Sequence, residues 1–298
     1  PMPRRLYADQ VSHIYQSTVT AFNIIYSTED FLVFYTIISV YARRYGITLL
    51  GLCQMIDHIH LLGSSRDLES MSRFISASTS QYVKEFNKKT GRTGRLFEKE
   101  YGSAIKKEVK KIRSAIAYLF NNPVEKMLCA RAEEYRWNYL RYFGEVRLKA
   151  LRHCSWRLRK SIKIVQERCS KGQYLKYSLI EMAFKGLEKE EKEYLTDWII
   201  KLYFPFDVRK VTSYYRSHTE MLIAINSNTG SEHDIIEHSY CKTDVPYREM
   251  MVILKKTGLT DIKSVIMWPG EDKKRLEQFL KSKTSATYRQ IRKFLHLK

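Results

Sequence analysis

The chain of 298 residues lacks the marks of a disulfide-stabilised, exported or membrane-spanning protein. It has only five cysteines, an odd number, and no two of them form a Cys-x-x-Cys pair. This spacing argues against a disulfide framework and against a structural zinc site. No apolar run of roughly 18 residues and no secretory signal is present, so neither membrane insertion nor export is predicted. We therefore expect a reducing, cytoplasmic environment.

Acidic residues are scarce relative to basic ones. There are 52 Lys and Arg against 32 Asp and Glu, which gives a formal net charge of +20 and a pI near 9.6. Cations that neutralise phosphates release condensed counterions, so a polyanionic partner is favoured over a charge that serves solubility alone. The apolar share of 44% is enough for a core, which excludes global disorder.

The first half of the sequence predicts an α+β domain. Hydrophobic periodicity favours strands at 11–19, 47–54 and 58–63, helices at 29–45, 68–89 and 107–121, and an extended segment at 96–106. We expect the third helix to end at Asn122-Pro123, because a residue before proline disfavours the helical region. The short links between strands predict an antiparallel sheet with helices on a face.

The second half is basic and mainly helical. Residues 146–171 are densely cationic, and helices are predicted at 176–186, 189–203, 206–220 and 245–256. Segments 271–282 and 286–297 resemble a helix-turn-helix. We therefore predict two domains, an α+β domain at 1–145 and a basic helical DNA-binding domain at 146–298 with a helix-turn-helix at 271–297.

The pair His58 and His60 is the most specific sign of chemistry. Residues two apart in a strand point to the same face, so both imidazoles project together. Two neutral imidazoles make half of a divalent metal site. Taken alone, such a pair is more often two ordinary polar residues.

A second candidate group is Tyr118 with Asn122, one helical turn apart on the same face of the third helix. Tyr118 is predicted at the edge of the apolar stripe, as a nucleophile beside an amide oxygen that completes a metal site. The alternative role for Tyr118 is an amphipathic ring at the rim of the core. The alternative role for Asn122 is a residue that ends the helix. Tyr82 competes as nucleophile, but its neighbour one turn on, Phe86, cannot bind a metal.

Together these residues resemble a known family. The strings MIDHIHLL at 55–62, GRTGRLFEKEYGS at 91–103, YLFNNPVEKML at 118–128 and EEYRW at 133–137 are similar to those of the REP-associated tyrosine transposases. These are HUH-superfamily relatives of the single-tyrosine IS200/IS605-like transposases, and the resemblance covers roughly residues 3–144. Where the family commonly has Pro-Asn before its first histidine, this chain has Ile56-Asp57.

The resemblance implies a fold, a metal and a reaction. It implies a ferredoxin-like antiparallel sheet, Mg²⁺ or Mn²⁺ held by His58, His60 and Asn122, and Tyr118 as the nucleophile. The implied activity is cleavage and transfer of single-stranded DNA through a 5′-phosphotyrosine, on REP-like hairpins in a bacterial, nucleoid-associated setting. For Asp57 we favour an exposed turn residue over one that orients a histidine.

Basic residues in three segments are candidate DNA contacts, and for each a solvated surface is the alternative. The predicted contacts are Lys84, Lys88, Arg92, Arg95, Arg152, Arg157, Arg159, Lys160, Arg289 and Arg292.

Three other functions stay open. The first is a non-catalytic, domesticated hairpin-binding or regulatory protein, and the second is a replication or conjugation nuclease with the same chemistry. The third, a barrel-type amidohydrolase built on the His-x-His pair, is disfavoured because further ligands and strands are missing. The protein is expected to be a monomer or homodimer.

Overall fold

The computed structural model describes residues 10–144, 154–227, 243–259 and 261–297. The first described part follows the order β1 Val11–Ser17, α1 Thr28–Arg44, β2 Ile47–Gln54, β3 His58–Ser65, α2 Leu68–Thr90, β4 Gly102–Lys106 and α3 Val109–Glu125. Every strand and helix predicted in this region is present. β4 occupies only the second half of the extended segment predicted at 96–106.

The strands form one four-stranded antiparallel sheet in the order β2-β3-β1-β4. This order with the βαββαβ succession is the ferredoxin-like arrangement, and the expected fold class is confirmed. The register places Tyr15 opposite His60 and Ser17 opposite His58, so the central strands β1 and β3 share the histidine-bearing end.

Local sequence explains where the helices begin and end. Asp30 Oδ2 accepts hydrogen bonds from the backbone amides of Tyr26 and Ser27, which secures the start of α1. Asp67 Oδ1 accepts from the Glu69 amide at the start of α2. Gly91, at φ 75°, ends α2 in the left-handed conformation that glycine adopts without steric cost.

The two faces of the sheet carry different helices. α1 and α2 pack on each other, with the Phe34 and Tyr82 rings stacked 4.3 Å apart. α3 packs against β2, β3 and β4, and its Leu119 and Phe120 lie against Gly51, where a Cβ would meet both side chains at 3.2 Å. Since side chains alternate along β3, the histidines face α3 while Ile59 and Leu61 face away from it.

The predicted end of the third helix is wrong by one turn. α3 continues through Pro123 to Glu125, and the Lys126 amide still donates to the Asn122 carbonyl at 3.1 Å. A proline loses only its own amide bond in the last turn, and the burial of Asn122 and Pro123 holds the backbone helical.

The second half is helical, as predicted. Its helices are α4 Trp156–Ser170, α5 Tyr177–Phe184, α6 Lys189–Leu202, α7 Val208–Ser213, α8 His218–Asn226, α9 Val245–Lys256, α10 Gly270–Lys283 and α11 Tyr288–Leu295. The prediction of a single helix at 206–220 is wrong, because α7 ends at Ser213 and a separate helix, α8, begins at His218. Ser217 Oγ accepts from the Glu220 amide and starts α8.

Contacts between the two halves are buried and specific. Lys263 Nζ lies 2.6 Å from Asp30 Oδ1, and the Tyr35 hydroxyl donates to the Ile200 carbonyl. The Tyr26 hydroxyl donates to the Phe294 carbonyl at 2.6 Å. The two-domain division at residue 145 stays a prediction, and that boundary lies outside the described residues. Within the described ranges, none of the helices has the length and apolar character to cross a membrane.

Candidate active site

His58 and His60 lie at the start of β3 with their rings on one face. The ring centroids are 5.0 Å apart, and both side chains are almost fully buried. The adjacent Asp57 Oδ1 lies 2.6 Å from His58 Nδ1. The favoured interpretation of Asp57 as an exposed turn residue is therefore wrong, and it contacts a predicted ligand.

β1 adds a third histidine that the sequence reasoning missed. His13 Nε2 lies 3.2 Å from His60 Nδ1, and the Tyr15 ring lies 5.2 Å from the His60 ring. Both side chains point toward α3, because β1 pairs directly with β3 and its alternate residues share that face. The alternation of His13 and Tyr15 with buried Ile14 was the available signal.

α3 brings Tyr118 and Asn122 onto the same histidines. The Tyr118 ring centroid lies 5.6 Å from that of His60 and 5.9 Å from that of His13. Asn122 Nδ2 lies 3.3 Å from His60 Nε2. Tyr118 is only 5% exposed, and its ring meets histidines at the edge of the apolar stripe of α3. The helix packs its tyrosine inward because the facing sheet surface is polar there.

The hydrogen bonds assign the protons of two imidazoles. If Asn122 donates to His60 Nε2, His60 carries its proton on Nδ1 and donates to His13. Burial, then the charges of His58, His13 and Lys126, hold the pKa of His60 well below its usual value, so it is neutral at pH 7. Asp57 accepts from His58 Nδ1, which orients His58 Nε2 as an acceptor.

The donor set fits a hard divalent cation. Among the described residues, no three His, Cys, Asp or Glu side chains group to hold a metal, so a site here needs the Asn122 amide. Asn122 Oδ1 is buried and accepts no hydrogen bond from any described residue. The amide oxygen suits Mg²⁺ or Mn²⁺, whereas the two imidazole nitrogens are softer ligands that favour Mn²⁺ of the two.

Charged side chains lie near Asp57 in addition to His58. Lys293 Nζ of α11 lies 3.7 Å from Asp57 Oδ2. Burial raises the pKa of Asp57, but the hydrogen bond and charge of His58, then Lys293 and Lys126, outweigh burial and lower it overall. Asp244, buried at the start of α9, has its pKa raised to about 6 by burial and by Asp57. Because its pKa is lowered, Asp57, the carboxylate beside His58, stays ionised at pH 7.

The structure does not bring Tyr82 to the histidines. Its side chain is fully buried, and its hydroxyl donates to the Ile24 carbonyl at 2.8 Å. Burial, then the charge of Asp30, raises the pKa of Tyr82 well above its usual value.

The cations predicted on α2 and its following loop differ in role. Lys84, Lys88 and Arg95 are exposed. Arg92 is half-buried, and its guanidinium donates to Asn87 Oδ1 and to the carbonyls of Gly94 and Arg95. Arg92 therefore shapes the loop in this structure.

The remaining predicted cations lie on α4 and α11. Arg157, Arg159 and Lys160 are exposed on α4, and Arg152 lies outside the described residues. On α11, Arg289 and Arg292 are exposed, and Arg292 Nε lies 2.8 Å from Glu277 Oε1. The opposite side of α11 is buried through Ile291 and Phe294, so only one face of this helix is open to a ligand.

Comparison with known proteins bears on this site. Residues 13–122, the span from the buried β1 histidine to the amide of α3, match the family described as "Transposase IS200 like". A solved structure of a REP-associated tyrosine transposase bound to a REP hairpin shares 14% sequence identity and a TM-score of 0.38, over 46% of this chain and 80% of that chain. No curated protein matches the chain.

Proposed function

We propose a specific activity for this chain, whose residues 13–122 match the family described as "Transposase IS200 like". The protein is a metal-dependent single-stranded DNA endonuclease and strand transferase that acts on hairpin DNA through Tyr118. The observation that carries this proposal is the convergence of Tyr118, His58, His60 and Asn122, from β3 and α3, in one buried cluster.

His58, His60 and Asn122 would hold Mg²⁺ or Mn²⁺. The ion would supply Lewis-acid stabilisation of the negative charge that develops on the phosphate. Asp57 contacts Nδ1 of His58, and His13 contacts Nδ1 of His60, which leaves the Nε2 atoms of both rings as the proposed metal ligands. These partners orient the two rings, and burial keeps His60 neutral by lowering its pKa.

Tyr118 is the nucleophile in this proposal. Its hydroxyl oxygen attacks the scissile phosphorus, the bond from phosphorus to the 3′ oxygen breaks, and a 5′-phosphotyrosine remains. The phenol gives up one proton and the departing 3′ oxygen gains one, so the step balances. A 3′-hydroxyl can later attack the phosphotyrosine and rejoin a strand, because the ester bond conserves the energy.

The DNA partner follows from charge and from the resemblance. A net charge of +20 favours a polyanion. Exposed Lys84, Lys88 and Arg95 on one side and Arg157, Arg159 and Lys160 on another are candidate backbone contacts. The hairpin form rests on the family-like strings at 91–103 and 118–128.

One observation favours a second candidate, a non-catalytic hairpin-binding protein. The side chains of Tyr118, His58, His60 and Asn122 are between 0% and 5% exposed, so a phosphate reaches the cluster only if neighbouring side chains move. A protein that binds DNA without cutting it has no need of that movement.

The deciding experiment is adduct formation on labelled single-stranded hairpins from the flanks of the gene, with Mg²⁺ or Mn²⁺ present. Denaturing electrophoresis of wild type, Tyr118→Phe and the matched control Tyr82→Phe should show a metal-dependent adduct in the first and third only. The Tyr118→Phe loss should be on the order of 10⁴-fold or more. Tight binding without any adduct would establish the non-catalytic candidate, and an adduct that survives Tyr118→Phe would overturn the nucleophile.

A further inference from the structure

A groove between α3 and α8 lies outside the cluster that holds Tyr118. Its volume is about 510 Å³, and its walls come from both halves of the chain. The residues used below are Val109, Lys110, Arg113, Ser114 and Ala117 of α3 together with Tyr215 and Ala224.

Two cations of α3, Lys110 and Arg113, line the groove, and they belong to a basic segment of the chain. Residues 106–113, KKEVKKIR, contain five cations and one acid. Lys110 and Lys111 are exposed, and neither forms an ion pair with another described residue. No described residue neutralises Lys110 or Lys111, which leaves their charge available to phosphates within the described part of the chain.

The groove is lined by polar and apolar side chains together. The Arg113 guanidinium lies 4.7 Å from the centroid of the Tyr215 ring and 3.0 Å from Glu220, so both side chains are held in place. Val109 is 56% exposed, and Ala117 and Ala224 are too small to fill the space. An ordered, partly exposed guanidinium beside an exposed lysine suits unpaired DNA, because bases stack on guanidinium planes while lysines contact phosphates.

The groove leads toward the nucleophile. Ser114 lies one helical turn before Tyr118 and Lys110 lies two, a rise of roughly 12 Å along the helix. Ala117, which lines the groove, is the immediate neighbour of Tyr118. A strand in the groove therefore approaches Tyr118 along α3.

From this placement we infer that the α3–α8 groove binds unpaired DNA on one side of the phosphate that Tyr118 attacks. This inference rests on the proposed function, because the DNA bound in the groove is the single-stranded flank of the hairpin that Tyr118 would cut. It also gives a role to α8, which lies beyond the family match at residues 13–122.

Binding measurements on a protein that cannot cut test this inference. In full-length Tyr118→Phe, we compare Lys110→Glu with Lys192→Glu, the same charge change at an exposed lysine of α6. The probes are one DNA hairpin with no flank, a 5′ single-stranded flank, or a 3′ flank. Lys110→Glu should weaken binding about 10-fold for one flanked probe only, and lower the salt slope for it by about 0.7 per lost contact.

Several outcomes would overturn the groove as a flank site. These are an equal loss on all three probes, a loss matched by Lys192→Glu, or no loss on either flanked probe. Both lysines are exposed, so equal melting temperatures of the two variants exclude misfolding as the cause.

Failure of the groove and failure of the proposed activity are distinguishable. Flank-specific loss in the binding assay, with no adduct formed by wild type, keeps the groove and removes the nuclease. If wild type forms the adduct, and Lys110→Glu forms it equally well with and without flanks, the nuclease activity stands and the groove is not a flank site.

Discussion

Tyr82 and Tyr118 are two buried tyrosines of one fold with opposite surroundings. Tyr82, fully buried between α1 and α2, donates to a backbone carbonyl and neighbours the Tyr177 hydroxyl. Tyr118, 5% exposed on α3, meets the edges of the His13 and His60 rings. Burial alone therefore does not distinguish a structural phenol from a candidate nucleophile, whereas the neighbouring groups do.

The same contrast extends to the polar groups around each tyrosine. Around Tyr82, Asp30 takes hydrogen bonds from the Tyr177 hydroxyl and from Lys263, both at 2.6 Å. These buried polar groups satisfy one another's hydrogen bonds, and they join distant parts of the chain. Around Tyr118, the Asn122 oxygen accepts no bond from the described residues, and the neutral His60 imidazole lies beside the tyrosine ring. We call the first group the packing set and the second the site set.

The largest expected effect concerns the site set. His60→Ala removes a proposed ligand, and its effect on metal affinity should exceed the roughly 10–100-fold typical of outer contacts. Mn²⁺ at about 100 times its dissociation constant should stabilise wild type by about 2.7 kcal/mol and leave the variant unchanged. Thermal unfolding with and without Mn²⁺ measures this, and equal stabilisation of both proteins would remove His60 from the metal site.

The next effect concerns packing and pH. His296 stacks on Phe22 at 4.5 Å and lies 2.6 Å from the Asn23 carbonyl, and burial lowers its pKa from 6.5 to about 4. Between these values the unfolded chain binds more protons than the folded one, so stability falls as pH drops from 6.5 to about 4. The loss should approach about 3 kcal/mol.

Denaturant unfolding across that pH window, with wild type and His296→Gln, checks this prediction. Gln keeps a donor for the Asn23 carbonyl but does not titrate, so the variant should lose less stability on acidification. An unchanged pH dependence in the variant would assign the acid sensitivity to another group.

A smaller effect is expected at Asp57. Asp57→Asn keeps an acceptor for His58 Nδ1 but removes the charge, so metal affinity should fall about 10–100-fold while the fold persists. Calorimetric titration with Mn²⁺ measures this, with Asp272→Asn as an exposed control. Equal affinities in both variants would make Asp57 a packing residue.

The smallest effect is expected at Tyr82. Tyr82→Phe removes one buried hydroxyl from the Ile24 carbonyl, which should lower the free energy of unfolding by about 1–3 kcal/mol. Adduct formation should stay within about twofold of wild type. Chemical denaturation and the adduct assay together check this. A large loss of activity at full stability would show that Tyr82 belongs to the site set as well as to the packing set.

The sequence supported much of the fold and part of the site. Strand alternation was sufficient to place His58 and His60 on one face, and helical spacing placed Asn122 beside Tyr118. It did not reveal His13, because its proximity to His60 depends on β1 pairing with β3, a contact between residues 47 positions apart. The Lys293 contact with Asp57 was equally hidden, since it depends on how α11 packs.

The contact of Lys293 with Asp57 has a consequence for how the protein is made. The site set is complete in sequence by Asn122, but the residue that braces Asp57 follows 293 − 122 = 171 positions later. At about 5–20 residues per second, a ribosome needs roughly ten to thirty seconds to reach it. During that interval the nascent polypeptide carries the nucleophile and its histidines without the lysine. The lysine that contacts Asp57 is therefore added only after the rest of the site set has been synthesised.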